Sequence, residues 1–211
     1  MSKNSLKRQN AFTLSIFLFW SVALFIVLSN GLNDFWTAIS LRIGDLKAKD
    51  SLFLFLTPLL LGISCGVLPT SWKAILVFWR KHPLPGCRAF SQLAPFDPRI
   101  DVYKLEASIG TFPESPTEQN AKWYSLYKTV QNEVTVSEAH KAFLLYRDLT
   151  GISFLFLTVG TIALIPAGSS MQNTIIYVLI CGFQYLVLAI VARNHGNRFV
   201  CNAMVEYLAT K

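Results

Sequence analysis

Four long apolar runs constrain this chain more than any other feature of its sequence. The first, AFTLSIFLFWSVALFIVLS, covers Ala11 to Ser29 without a charged residue. About 20 helical residues cross a hydrocarbon core of roughly 30 Å. Lipid offers no partner to backbone N–H and C=O groups, so such a run has to be helical. Lys3, Lys7 and Arg8 precede it, as in a signal peptide. The run is longer than a signal core and no small-x-small cleavage site follows, so it is expected to be a retained span.

The second run is SLFLFLTPLLLGISCGVLP, Ser51 to Pro69. Pro58 is expected to adjust its helix, which neighbouring spans tolerate. Gly62 and Gly66 are four residues apart, a small-xxx-small spacing that lets another helix approach closely. The third run, GISFLFLTVGTIALIP, covers Gly151 to Pro166. AFLLY lies just upstream, so its helix is predicted to begin near residue 136 and to enter the membrane unbroken. The fourth, NTIIYVLICGFQYLVLAIVA, covers Asn173 to Ala192, and Gln184 is its one strongly polar side chain near the middle. A buried amide in lipid needs a partner, so Gln184 is expected to pack between helices. A place on a substrate or ion path is the alternative.

Composition agrees with a membrane protein. Of the 211 residues 53% are hydrophobic and 15% charged, and the net charge is +7, against about 25% charged residues in a soluble domain. With both termini inside, sixteen Lys and Arg fall inside and three, Arg42, Lys47 and Lys49, outside. The positive-inside rule then predicts cytoplasmic termini and a cytoplasmic segment between spans two and three. The basic excess is thereby assigned to topology, and nucleic acid is not an expected partner. The outer loop, residues 30–50, places Phe35, Trp36, Ile39 and Ile43 at helical spacing and predicts a short helix on the membrane surface.

The segment from residue 70 to residue 150 reads as a soluble insertion. TSWKAILVFWRK predicts a helix over 70–81 that either lies at the interface or continues span two past a kink. Asp97, Pro98 and Gly110 predict the cap, first residue and stop of a helix. Ser115, Pro116 and Glu118 predict a second helix start with a capping box, and Thr135 with Glu138 a third. The tail after residue 192 carries Phe199, Val200, Ala203, Met204, Tyr207 and Leu208 on one stripe and predicts a separate amphipathic helix over 193–211. The expected fold is all-α: four membrane helices in two hairpins, with a small helical cytoplasmic domain inserted between helices 2 and 3.

The sequence carries no catalytic constellation. There is no Gly-rich phosphate loop, no nucleophile elbow and no His-Glu-x-x-His. Cys65, Cys87, Cys181 and Cys201 form no Cys-x-x-Cys pair, so neither a zinc site nor a disulfide framework is expected. No catalytic residue, metal or cofactor is predicted. One cluster stands out. Arg88 follows span two, His140, Arg147 and Asp148 precede span three, and Arg193, His195 and Arg198 follow span four. Together they predict a basic collar at the cytoplasmic face. It is either a headgroup anchor or a site for an anionic ligand, on whose base Trp123, Tyr124 or Tyr127 could stack.

Three functional readings follow. The first is a membrane-anchored interaction, signalling or effector protein whose helical domain binds a cytoplasmic protein or a small anionic ligand. In that reading a homo-oligomer changes membrane permeability. The second is a channel or transporter subunit with Gln184 on its path. The third is a membrane-embedded enzyme acting on lipid. Non-enzymatic function and a multi-pass location, in a plasma or bacterial inner membrane, are the expectations carried forward.

Overall fold

The computed structural model describes residues 9–30, 66–166 and 168–210. Most of span two with Gly62, the outer loop with Trp36, and the charged N-terminal residues lie outside the described residues. The described residues form helices and turns without a strand. Three helical stretches are long and apolar enough to cross a membrane: Ala11–Ser29, Val134–Leu164 and Met171–Ala209. The chain divides into two compact units. One comprises residues 1–69 and 148–188, the other residues 70–147 and 189–211.

The first unit holds α1 (Ala11–Asn30), the last part of α5 (Val134–Leu155), the short α6 (Thr161–Leu164) and the first half of α7 (Met171–Ala209). Leu28, Leu164, Tyr177 and Cys181 form its buried cluster, with Phe25 and Leu157 packed against them. A wide π turn, Phe156–Gly160, interrupts the stretch Val134–Leu164. Such a turn frees backbone carbonyls from the regular ladder. The Tyr177 hydroxyl donates to the Phe156 carbonyl, at the start of this turn, at 2.8 Å. Gln184 accepts from Trp20 Nε1 at 3.2 Å and donates to Ser153 Oγ at 3.2 Å. One amide thereby joins α1, α5 and α7. At Gly66, an added Cβ would meet no described atom within 4 Å.

The second unit holds α2 (Thr70–Phe78), α3 (Val102–Ile109), α4 (Pro116–Val130), the first part of α5 and the second half of α7. Its core runs through Val77, Phe78, Phe90, Leu105, Trp123, Leu126, Phe143, Phe199, Val200 and Met204. Each fully buried side chain of this size contributes about 1.5–3 kcal/mol over leaving it in water, so this cluster is the main force holding the unit. Gly196 sits where α7 passes two rings. A Cβ there would come within 2.8 Å of Phe78 and 3.0 Å of Phe143. The glycine is therefore a close-approach residue inside the helix.

Several predicted boundaries move. α3 starts at Asp101, whose carboxylate accepts from the Lys104 N–H at 3.0 Å, rather than at Asp97. Asp97 is held instead by Arg99, with a 2.7 Å ion pair. Gly110 ends α3 with φ 83°, a left-handed value that suits glycine. α4 starts at Ser115 and Pro116, but the Ser115 side chain makes no capping bond. Thr135 lies inside the first turn of α5, and its hydroxyl donates to Glu206 rather than closing a box with Glu138. No break separates the fourth apolar run from the tail: α7 is one helix of 39 residues.

Candidate functional site

A polar concavity of the second unit is built by a strained turn and three short irregular helices. α2 ends at Phe78, and Trp79 takes φ 51°. A left-handed bulky residue costs about 1–2 kcal/mol, so something must hold it there. Two contacts do. Its N–H donates to Ile75 O at 2.8 Å, and the Arg193 guanidinium lies 4.6 Å over its ring. Pro83 and Pro85 then forbid a regular helix. The chain instead runs through a 3₁₀ turn, Pro85–Arg88, a π turn, Ala89–Leu93, and a second 3₁₀ turn, Ala94–Phe96.

Gln119 of α4 fixes this irregular stretch. Its side-chain oxygen accepts from Phe90 N at 3.3 Å, Ser91 N at 3.2 Å and Ser91 Oγ at 3.1 Å. Gln119 is only 3% exposed, and its bond to Phe90 N is buried, a setting where a hydrogen bond counts most. The result is a cleft of about 410 Å³ lined by Arg80, Lys81, His82, Cys87, Arg88, Ser91, Gln92, Glu114, Pro116 and Gln119.

Arg88 is the central group. The residue is 8% exposed. Its Nη2 donates to Asn197 Oδ1 at 3.3 Å, and its guanidinium lies 4.6 Å over the Phe78 ring. Nη1 is buried and, among the described residues, has no hydrogen-bond partner. Burial, with Arg80 and Arg193 as like-charged neighbours, lowers its pKa to about 10, so it remains charged at neutral pH. Arg193 donates from Nη2 to Val77 O at 3.1 Å while its Nε is also buried without a partner. Arg80 donates from Nη1 to Gln92 Oε1 at 3.4 Å. Among the described residues none of these three guanidinium groups pairs with a carboxylate. Glu114 is the one acidic residue lining the cleft among them. Burial raises the Cys87 thiol, which keeps it a neutral wall and not a nucleophile.

Comparison with known protein families, with curated proteins and with solved structures finds no match.

The other residues of the expected collar separate into different surroundings. His140 stacks on Phe199 at 4.5 Å and its Nδ1 meets the Tyr127 hydroxyl at 3.1 Å, so it belongs to the aromatic core. Arg147 is buried, its guanidinium 6.0 Å from the Phe143 ring, and Asp148 is buried in the first unit. His195 stacks on Tyr146 at 4.8 Å and, with Arg198, lines a second cleft of about 330 Å³ beside Glu138 and Asn202. Of the seven collar residues, Arg88 lines the cleft and Arg193 is its like-charged neighbour. Trp123 and Tyr127 are buried against Phe199, which leaves Tyr124 as the exposed ring of that trio.

Sequence reasoning overlooked Gln119, Asn197 and Phe78. Their partners lie far away in the chain, and a buried glutamine on a polar helix has the same local pattern as a solvated one. Chemically, the cleft offers guanidinium, ammonium and hydroxyl donors around one unsatisfied buried N–H. Among the described residues, no group of three or more His, Cys, Asp or Glu comes together as a metal site.

Proposed function

We propose that this chain is a multi-pass membrane protein whose helical domain is a receptor for an anionic ligand, seated in the cleft over Arg88. The membrane part rests on three apolar helical stretches. The receptor part is carried by one observation: a buried arginine, crowded by two like charges, keeps an N–H group without a partner. An unsatisfied buried donor on a charged group costs at least about 1–3 kcal/mol. Like charges nearby add to that cost, and an anion removes both terms at once. The distribution of Lys and Arg favours a cytoplasmic orientation for the domain, which makes a cytoplasmic ligand part of the proposal.

The test is thermal unfolding of the detergent-solubilised chain in chloride, sulfate, phosphate and citrate at matched ionic strength. At least one multivalent anion should raise the midpoint of the native chain by several degrees and leave Arg88→Gln unmoved. An identical response from both proteins to every anion would sink the reading.

A further inference from the structure

We propose that the cleft over Arg88 is a site for a phosphate monoester, the dianionic tetrahedral group shared by phosphomonoester lipid headgroups and free phosphorylated small molecules. This deepens the anion-receptor reading and rests on it.

Three features select this group among anions. The first is charge. Arg80, Lys81 and Arg88 line the cleft and Arg193 acts on Arg88, against Glu114 as the single acidic lining residue among those described. A carboxylate or a phosphodiester brings one negative charge to that excess, whereas a monoester at neutral pH brings nearly two. The second is donor geometry. Phe78 and Asn197 already fix the guanidinium plane of Arg88, so little rotamer entropy is lost when an oxyanion docks on it. Ser91 contributes a hydroxyl from the adjoining turn once it rotates away from Gln119 Oε1, and Lys81 an exposed ammonium. Three terminal oxygens can use these donors together, and two carboxylate oxygens cannot. The third is space. At about 410 Å³ the cleft is larger than a phosphate ion and takes a phosphate with the group esterified to it. Glu114 disfavours a second anionic group and can accept from a hydroxyl on that remainder.

Access also has a structural route. Nη1 of Arg88 is dry in this structure, so an oxyanion reaches it only when lining side chains move. Arg80 and Gln92 are exposed and joined by a single 3.4 Å hydrogen bond, at the weak end of the range. An anion recruits Arg80 to itself and releases Gln92.

The experiment uses the full chain. In detergent, inorganic phosphate, glycerol 3-phosphate, dimethyl phosphate and acetate are titrated while thermal midpoint is followed. In phosphatidylcholine nanodiscs, 10% phosphatidic acid (a monoester headgroup) is compared with 10% phosphatidylglycerol (a diester). Glycerol 3-phosphate and phosphate should half-saturate at concentrations at least about tenfold below dimethyl phosphate and acetate. Arg88→Gln should remove that preference, since losing a charged hydrogen bond costs about tenfold or more. Arg80→Gln and Ser91→Ala alter exposed residues and should weaken phosphate binding about threefold or more, Arg80→Gln with an unchanged unliganded midpoint and Ser91→Ala with a slightly lower one because its bond to Gln119 is lost. They decide the matter if Arg88→Gln fails to fold. Stabilisation by phosphatidic acid but not phosphatidylglycerol places the monoester on a lipid. Stabilisation by glycerol 3-phosphate alone places it on a soluble molecule. Either supports the proposal. Equal, Arg88-dependent binding of acetate or dimethyl phosphate overturns the monoester class and leaves the anion receptor standing. No anion effect, or the same effect in the native chain and in Arg80→Gln and Ser91→Ala, overturns both.

Discussion

The two units invert each other's surfaces. In the first, large apolar side chains point outward: Phe183 is 70% exposed, Leu179 66% and Ile162 67%. Only 22% of the most apolar window of α1 is buried inside the protein. In the second, a large apolar cluster is inside, with Phe96 and Trp72 among the exceptions at its surface, while Lys104, Glu106, Glu118 and Lys128 are exposed. The first pattern suits helices long and apolar enough to cross a membrane, and the second suits a surface in water. In lipid, exposing Phe or Leu costs nothing and association depends on shape and hydrogen bonds. In water, the same residues drive the core together. Each amino acid's energetic meaning is therefore set by the phase around its unit, and substitutions of matched chemistry should show it.

The largest expected effect is Trp123→Ala. Trp123 is 6% exposed, packs edge-on against Phe199 at 5.2 Å, and donates from Nε1 to Val200 O at 3.2 Å. Removing a buried aromatic from a water-driven core costs about 3–5 kcal/mol, and here a carbonyl also loses its donor. Phe183→Ala, at a large exposed ring of the first unit, should cost less than about 0.5 kcal/mol by the same measure. Thermal and denaturant midpoints in micelles compare the two directly. Similar costs would mean that Phe183 is covered by protein, and the contrast between units would fail on that face.

The membrane stretches were legible because a charge-free run of 19 residues such as Ala11 to Ser29 has few other solutions. The second unit was legible as helical but not at its joints. Asp97 and Asp101 both suit a helix start, and the choice was made by Arg99, which captured Asp97 with bonds of 2.7 and 2.9 Å. Thr135 was drawn to Glu206, 71 residues away in the chain. The polar RNHGNR around Gly196 looks like a helix break, yet it is the point where α7 accommodates Phe78 and Phe143. The collar was legible as charge but not as a site. Successive helical residues turn by about 100°, so Arg193, His195 and Arg198 cannot share one direction. Arg193 goes to Trp79 and Arg88, while His195 goes to Tyr146.

A second, smaller effect sharpens the comparison within the water-facing unit. Gln119→Met keeps the length of the side chain and removes its oxygen, leaving the N–H groups of Phe90 and Ser91 without their acceptor. Orphaning a buried donor costs about 1–3 kcal/mol, and the Phe90 N–H sits in a buried bond, so a loss of roughly 2 kcal/mol is expected. Gln119 also shapes the cleft beside Ser91. The variant should therefore lower the thermal midpoint and blunt its rise with phosphate together. A lower midpoint with an unchanged phosphate response would separate the stabilising role of Gln119 from the architecture of the cleft.

The smallest effect belongs to the same substitution in the other unit. Gln184→Met removes the acceptor of Trp20 Nε1 and the donor to Ser153 Oγ, the two bonds that tie α1 and α5 to α7. An argument from low dielectric alone predicts a heavy loss. Measured side-chain hydrogen bonds between membrane helices nevertheless average about 0.6 kcal/mol, because the separated helices also find partners for their polar groups. The Ser153 hydroxyl can turn to a carbonyl of its own helix, and the thioether of methionine is at home in hydrocarbon. Gln184→Met should accordingly shift the midpoint by no more than a third of the shift seen for Gln119→Met. Equal shifts would mean that Gln184 sits in a polar, water-accessible setting within the bundle, and the path reading of this glutamine would then displace the packing one.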